Sequence, residues 1–310
     1  MEIRTFAEQI LFEPDLAAKL AAPLDLSDAA PGDPLRVIPA APARAPGLAF
    51  RRAVGAAKVK FPKGKALERD EGRGTVLHFF ANHELLALEL MALALLRFPD
   101  APPAFRRGVV GIMADEQRHL RFYLDRMQAL GVEFGQVPLS DFFWTALRDV
   151  PDPASFVAGM SLTLEQANLD FALRYAKAFR QVGDEATGAV LDKVLADEIR
   201  HVAHGRVWFE RWKDPADDLW TAWLKALVFP MTPARAKAAP FDVGVRAQAG
   251  FTPDFIDRLR VFTRSKGRAP TVHWFDPSVE EALRDPRAPI HPRIRELAAD
   301  LETLPAGRAG

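Results

Sequence analysis

Long apolar stretches, interrupted by charged residues and closed by proline or glycine, divide the middle of the chain into four segments. Each holds roughly 30 residues, which corresponds to a helix of about 45 Å. Helices of this length exceed the usual globular length and are typical of bundles. Asp152, a candidate N-cap, and Pro153 mark the start of the third helix. The pattern predicts helices over residues 70–98, 103–130, 153–183 and 184–215.

The sequence before these segments has a different character. Residues 1–20 are predicted to form a short helix. Six prolines in residues 23–46 fix φ and remove backbone donors, so this stretch is predicted to be extended. Because it also contains Leu35, Val37 and Ile38, we expect it to wrap over the helical body.

Beyond the fourth helix we expect a fifth over residues 215–229 and a short one over residues 253–262. Thr271–Phe275 is predicted to be extended, and the tail after Leu304 to be disordered. The predicted fold class is all-α, an antiparallel four-helix bundle with additional helices. The N-terminal helix and wrapping segment, the bundle with its fifth helix, and the C-terminal accessory segment occupy residues 1–66, 67–230 and 231–310.

Two hexapeptides in the middle of predicted helices match at five of six positions. Residues 114–119 read Ala-Asp-Glu-Gln-Arg-His, and residues 196–201 read Ala-Asp-Glu-Ile-Arg-His. Residues three apart share a helix face, with Cβ atoms about 5–6 Å apart. Each hexapeptide therefore offers one glutamate and one histidine to a metal ion, namely Glu116 with His119 and Glu198 with His201.

A two-metal site in a helical bundle needs one further glutamate from each of the other two helices. Glu84 lies 32 residues before Glu116, and Glu165 lies 33 residues before Glu198. Equal spacing in two helical hairpins brings each upstream glutamate level with its downstream pair. Glu89 is the alternative on the first helix, but it breaks the symmetry and points away from Glu84.

The charges are consistent with two divalent cations, which would neutralise four buried carboxylates. The aspartates and arginines of the hexapeptides are candidates to support the ligands. A ligating imidazole usually donates its second N–H to a carboxylate. We expect Asp115 and Asp197 each to serve the histidine of the opposite helix. Arg118 and Arg200 are expected to brace those aspartates.

Composition restricts the chemistry further. The 310 residues contain no cysteine, which excludes disulfides, thiolate catalysis, iron–sulfur clusters and a rubredoxin-type module. Carboxylates and imidazoles suit iron or manganese. Basic and acidic residues number 41 each, so the net charge favours neither nucleic acid nor a membrane. The N-terminus does not resemble a signal peptide, and the apolar run Leu85–Leu96 is short and charged, so we expect a cytoplasmic protein.

Several other side chains are candidates for the surroundings of the metals. His204 lies one turn beyond His201 and is either a hydrogen-bonded core histidine or a seventh ligand or proton donor near the metals. His83 precedes Glu84 and points about 100° away from it, so we expect it to support the ligands without binding metal. Tyr123 is a core aromatic or an oxidation target. Further candidates to line a pocket or reach the cavity are Phe142, Phe143, Trp144, His78 and Asn168.

The paired Asp-Glu-x-Arg-His motif resembles that of di-iron oxygenases, including bacterial multicomponent monooxygenases and acyl-carrier-protein desaturases. More closely, the chain resembles the bacterial ferritin-like group called domain of unknown function 455, over residues 50–285 and without the Pro-rich start. The segments that resemble it are His78–Glu84, Phe98–Pro102, Asp115–His119, Asp197–Gly205 and His273–Pro277.

This resemblance implies a ferritin-like bundle related to tRNA-modifying di-iron hydroxylases and to rubrerythrins. It implies that Glu116 and Glu198 bridge two metals while Glu84 and Glu165 are terminal ligands, and it supplies no substrate. The expected cofactor is a pair of iron ions, with a Mn/Fe pair as the alternative.

We therefore expect an oxidoreductase that activates dioxygen or peroxide and hydroxylates or oxidises an organic substrate, with a small-molecule substrate and an external electron donor as partners. The alternatives are ferroxidase or storage activity and peroxide scavenging. Two complete half-sites argue against storage, and the missing thiolate module argues against scavenging. Transfer RNA is a weaker candidate partner, supported locally only by the basic stretch Arg51–Lys65. A homodimer is also left open.

Overall fold

The computed structural model describes residues 1–22, 25–50, 60–263, 292–294 and 296. The chain divides into two compact units, Met1–Phe262 and Thr263–Gly310. The α-helices of the first unit are α1 (Ile3–Phe12), α2 (Leu16–Leu20), α3 (Asp70–Arg97), α4 (Pro103–Ala129), α5 (Phe142–Leu147), α6 (Pro153–Gly159), α7 (Gln166–Gln181), α8 (Glu185–Trp212), α9 (Leu219–Ala226), α10 (Val243–Gln248) and α11 (Pro253–Val261).

Apart from short 3₁₀ turns, one π-helical turn and two isolated bridges, the regular structure of the described residues is α-helical. In the second unit, residues 292–294 are helical. The extended segment predicted at Thr271–Phe275, the motif at His273–Pro277 and the predicted disordered tail lie outside the described residues, as does the part of the basic stretch in residues 51–59.

The long helices begin and end close to the predicted positions. Helix α3 packs along α4, α7 packs along α8, and α4 also contacts α8. The Asp152 carboxylate accepts a hydrogen bond from the Ser155 backbone N–H at the start of α6. Asp184 caps α8 in the same way, through the Thr187 backbone N–H. The proline and aspartate signals thus located these boundaries correctly.

Four element predictions were incomplete. The predicted third helix contains a π-helical turn, Met160–Glu165, between α6 and α7. Pro14 separates α1 from α2, so residues 1–20 form two helices. The fifth helix is α9, which is shorter than predicted because residues 213–218 form a loop. Helix α10 was not predicted.

The Pro-rich segment lies against the helical body, as expected. The Leu35 backbone N–H donates to the Leu96 carbonyl oxygen at 2.8 Å, and the Ala43 backbone N–H donates to the Leu11 carbonyl oxygen at 2.9 Å. Leu35 and Ile38 pack against the core. Val37 is 80% exposed, so its predicted packing role was wrong.

Helix α3 contains a long apolar stretch. It is long and apolar enough to cross a membrane by length and composition, and its most apolar 18-residue window is 83% buried within the protein. The shorter run Leu85–Leu96, on which the sequence expectation rested, is buried throughout its length. Such burial is typical of a core helix in a soluble protein.

The core of the first unit consists of two hydrophobic clusters that meet near the middle of the long helices. On α4, one cluster ends at Met113 and the other begins at Leu120. On α8, the same change falls between Val194 and Val202. Buried polar residues of the two hexapeptides lie in these intervals, so the fold encloses a polar layer between two apolar regions.

Candidate metal centre

The two hexapeptides lie on α4 and α8, which face each other. Glu116 and Glu198 are 1% and 0% exposed, and His119 and His201 are equally buried. Helix α3 contributes Glu84, which is 5% exposed. All these side chains project into the polar layer because residues three apart share one face of each helix.

The remaining glutamate is positioned by the π-helical turn. Glu165 is the last residue of that turn and is 3% exposed. The Ala158 carbonyl oxygen accepts hydrogen bonds from the Thr163 hydroxyl at 2.7 Å and from the Trp223 indole N–H at 3.1 Å. These two side-chain donors therefore bind a carbonyl two residues before the π-helical turn begins. Such π-helical turns occur frequently at functional sites.

The six predicted ligands come together in two overlapping groups. One ligand atom each from Glu84, Glu116, His119 and Glu198 lies within 4.8 Å of the others. The atoms of Glu116, Glu165 and His201 form a second group by the same measure. Glu116 therefore belongs to both groups. Glu198 belongs to the first group, with its Oε2 3.9 Å from His201 Nδ1.

Each histidine contacts the aspartate of the opposite helix, as the sequence led us to expect. His119 Nε2 lies 3.0 Å from Asp197 Oδ2, and His201 Nε2 lies 3.1 Å from Asp115 Oδ2. These contacts fix both rings with Nδ1 directed toward the glutamates, since His201 Nδ1 is 3.2 Å from Glu116 Oε1. Nδ1 is therefore the atom available to a metal ion.

The two arginines of the hexapeptides connect these aspartates. Arg118 Nη2 lies 2.7 Å from Asp115 Oδ1 and also binds Asp197. Arg200 Nη2 lies 3.1 Å from Asp115 Oδ2 and also binds Asp197. Each arginine thus bridges both aspartates. The pairs form a partly exposed layer outside the histidines and hold the imidazole orientations.

Several buried polar atoms in the centre have no hydrogen-bond partner, although such groups are normally paired in proteins. They are His119 Nδ1, His201 Nδ1, Glu116 Oε2, Glu198 Oε2 and both carboxylate oxygens of Glu165. Nitrogen and carboxylate oxygen atoms are suitable donors for iron, manganese or zinc. Their convergence in two groups fits a pair of bound cations.

Burial raises the pKa of three carboxyl groups in the centre. The pKa of Glu165 rises to about 7, that of Glu198 rises to about 8, and that of Glu84 lies well above its usual value. The neighbouring charge of Glu116 raises all three further. Crowded, desolvated carboxylates favour the uptake of positive charge.

The pKa values of the two imidazoles also rise, but through neighbouring carboxylates. Burial alone would lower the pKa of His119, and the nearby Asp197 and Glu116 carboxylates raise it to about 9. The pKa of His201 rises above its usual value through Asp115 and Glu116. Burial opposes ionisation of Glu116, but the two neighbouring imidazoles hold its pKa well below its usual range. Protons and metal ions can therefore neutralise the same carboxylates, and metal binding must release protons.

Glu89, the alternative ligand on α3, lies outside both ligand groups. Its carboxylate pairs with Lys19 Nζ at 2.8 Å and with Arg44 Nη2 at 2.6 Å, and all three side chains are buried. Arg44 also donates to the Asn82 side-chain oxygen at 3.2 Å. Glu89 therefore joins the N-terminal segment to α3, and Glu84 is the glutamate of α3 in the centre.

Three of the other candidate residues lie close to the predicted ligands. The Tyr123 hydroxyl hydrogen bonds to Glu84, and burial raises its pKa. Asn168 Nδ2 donates to Glu198 Oε1 at 3.1 Å. His83 stacks on Phe143, with ring centroids 4.6 Å apart.

His204 stacks against Phe105, is half-buried and is in neither ligand group. His78 Nε2 accepts a hydrogen bond from the Gly135 backbone N–H at 2.9 Å. The suggestion that His78 reaches the cavity is not supported by this contact. Trp144 is fully buried and donates to the Ala40 carbonyl oxygen at 2.9 Å, so it anchors the N-terminal segment and was wrongly assigned to a pocket.

A cavity of about 490 Å³ lies beside the centre, and we call it the aromatic cavity. His83 and Asn168 line both this cavity and a water-sized space beside Glu84 and Tyr123. The predicted Phe142 and Phe143 are among the aromatic lining residues, which are Phe61, Phe80, Phe142, Phe143, Phe171 and Tyr175.

Sequence reasoning missed most of this lining. Phe171 and Tyr175 lie four residues apart on α7, one and two turns beyond Ala167, which also lines the cavity. Helical spacing from Asn168, which precedes them by three and seven residues, could have identified them. Phe61 precedes α3 by nine residues, and its position depends on the tertiary fold.

The comparisons with known proteins identify one family. The family described as "Protein of unknown function (DUF455)" matches residues 12–257. Neither the curated proteins nor the solved structures gave a match. The match begins within the N-terminal helices, so it includes the Pro-rich segment that sequence analysis had left outside the resemblance, and it ends before His273–Pro277. The chain therefore belongs to the DUF455 family.

Proposed function

We propose that the protein is a ferritin-like di-iron oxidoreductase that uses dioxygen or peroxide to oxidise an organic substrate. The observation that supports this proposal is the convergence of two buried glutamate–histidine groups, with unpartnered ligand atoms, beside an aromatic cavity. In this proposal the four members of an antiparallel bundle are α3, α4, α8 and the third helix, in which α6, the π-helical turn and α7 are continuous. A mixed Mn/Fe pair would fit the same donors.

Glu84, Glu116, His119 and Glu198 would hold one metal ion. Glu116, Glu165 and His201 would hold the other, and Glu198 would also be near it because its Oε2 lies 3.9 Å from His201 Nδ1. Bound iron would supply the redox chemistry for reducing dioxygen or peroxide and oxidising the substrate. Insertion of one oxygen atom from dioxygen also needs two electrons and two protons, which we assign to an external donor and solvent.

The chain's own residues orient the centre and limit access to it. Asp115 and Asp197 hold the histidines so that Nδ1 faces the carboxylates. The Tyr123 hydroxyl orients Glu84, and the Asn168 amide orients Glu198. Aromatic walls exclude water from the substrate and keep a reacting carbon near these ligands.

Fe(II) titration of metal-depleted protein without oxygen is expected to saturate at two ions per chain, because the centre offers two donor groups. Admission of oxygen with a reductant should then cause oxygen consumption that exceeds the iron present. Iron content and an oxygen electrode measure the two quantities. Uptake that continues far beyond two ions per chain would instead support iron storage.

The π-helical turn gives a second test. Thr163→Val removes a buried hydroxyl that stabilises the turn, at a cost of about 1 kcal/mol. If the segment relaxes to a regular α-helix, Glu165 rotates by about 100° relative to the preceding residues. We expect binding of the second iron ion to weaken at least tenfold while the first stays bound.

Fe(II) titration measures this change. Thr75→Val is a matched control because the Thr75 hydroxyl makes an ordinary hydrogen bond to the Glu71 carbonyl oxygen within α3. Equal iron binding by Thr163→Val and Thr75→Val would show that the turn does not position a ligand.

A further inference from the structure

The charged groups of the aromatic cavity all have the same sign. Beside its six aromatic rings, the cavity is lined by Lys63, Arg174, Arg235 and Lys237. None of the described lining residues is acidic. The chain as a whole has no net charge, so this concentration of cations is local.

Two of these cations have structural roles. The Lys237 ammonium donates to carbonyl oxygens at the end of α11, including that of Arg260 at 2.8 Å. The Arg235 guanidinium lies over the Phe142 ring, 4.3 Å from its centroid. Their contacts shape the cavity wall, and they still contribute positive potential to it.

The other two cations are better placed to hold a ligand. Arg174 is half-buried and donates to the Ala239 carbonyl oxygen at 3.2 Å, while Lys63 is exposed. Within the described part of the chain, neither side chain contacts a carboxylate. Arginine presents a planar set of donors that matches a carboxylate, and lysine adds a flexible point charge.

The distance from these cations to the centre limits the size of the ligand. Arg174 lies six residues after Asn168 on α7, or about 9 Å along the helix axis. Asn168 lines both the aromatic cavity and the space beside Glu84. A cavity of about 490 Å³ is within the range that accommodates small organic ligands.

We propose that the aromatic cavity binds an organic anion with an aromatic body. Lys63 and Arg174 hold its carboxylate, the phenylalanine rings pack against its body, and its far end lies toward Glu84. This inference rests on the proposed function for its catalytic meaning, but the binding preference can be measured without iron.

Three probes of similar shape test the charge preference: 2-naphthoate, 2-naphthamide and 2-naphthylmethylamine. Calorimetric titrations should use the protein as isolated and after chelation of metal. We expect naphthoate to bind at least tenfold more tightly than either other probe in both preparations, because hydrogen bonds to a charged group are the stronger ones.

Two neutral variants connect this preference to the named residues. Lys63→Met and Arg174→Met together should weaken naphthoate binding about tenfold or more and leave naphthamide binding within twofold. Lys177→Met is the matched control, because Lys177 is an exposed cation on the same helix that does not line the aromatic cavity.

The inference is overturned if naphthoate and naphthamide bind equally, if neither binds, or if the double variant keeps full naphthoate affinity. Failure of the protein to bind iron would refute the proposed function, while selective naphthoate binding by the metal-depleted protein would still establish an anion-binding cavity. The single Lys63→Met variant, at an exposed position, keeps the test valid if the Arg174 substitution disturbs folding.

Discussion

Glu116→Gln is expected to remove both iron ions from the protein. Glu116 is the residue common to both ligand groups, and its carboxylate lies close to both histidines. An amide of the same shape offers one weak oxygen donor and no charge, so neither cation retains its shared ligand. It also leaves three carboxylates for two divalent ions, which weakens the charge balance of the buried centre.

The iron content of Fe(II)-loaded, desalted protein measures this effect, with circular dichroism as the check on folding. Glu84→Gln provides a graded comparison, because Glu84 belongs to only one ligand group and its loss should mainly weaken one ion. Glu71→Gln, at an exposed position in the first turn of α3, should bind iron normally. A folded Glu116→Gln protein that retains two ions would refute the proposed centre.

The positions of the six candidate ligands could be predicted because they depend on helix geometry. A repeat with a three-residue spacing fixes a common face on α4 and α8, and equal upstream spacing aligns Glu84 and Glu165 with those faces. Prolines and glycines marked the ends of the helices, and the equal helix lengths that result bring these glutamates to the same level. The cross-helix aspartate contacts followed from the same register.

Other features could not be predicted because they depend on contacts far apart in sequence. The π-helical turn at Met160–Glu165 is stabilised in part by Trp223, which lies on α9. The buried ion pair between Asp170 and Arg246 joins α7 to α10, and its two side chains are fully buried. No local pattern marks such partners, so their charged residues resemble ordinary surface residues in the sequence.

The second large effect is expected at Glu89, whose replacement by alanine should destabilise the protein by about 3–5 kcal/mol. The substitution leaves Lys19 and Arg44 buried without their shared carboxylate. Burial lowers the pKa of Lys19, and loss of the Glu89 charge would lower it further. Arg44 keeps its charge in the core, because a guanidinium stays charged in proteins.

Urea unfolding measures this loss through the transition midpoint. Glu8→Ala is the control, because Glu8 forms a partly exposed ion pair with Arg4 on α1 and should change stability by less than about 0.5 kcal/mol. A triple variant, with Lys19→Met, Arg44→Met and Glu89→Leu, should recover much of the stability, since apolar groups can replace a buried ion cluster.

Iron binding distinguishes the role of Glu89 from that of Glu84. Folded Glu89→Ala protein should bind two iron ions, because Glu89 contacts the N-terminal segment and none of the ligand atoms. Glu84→Gln should show the reverse pattern, with weaker iron binding and a smaller loss of stability. If Glu89→Ala lost iron while its urea midpoint stayed unchanged, the assignment of the two glutamates of α3 would be wrong.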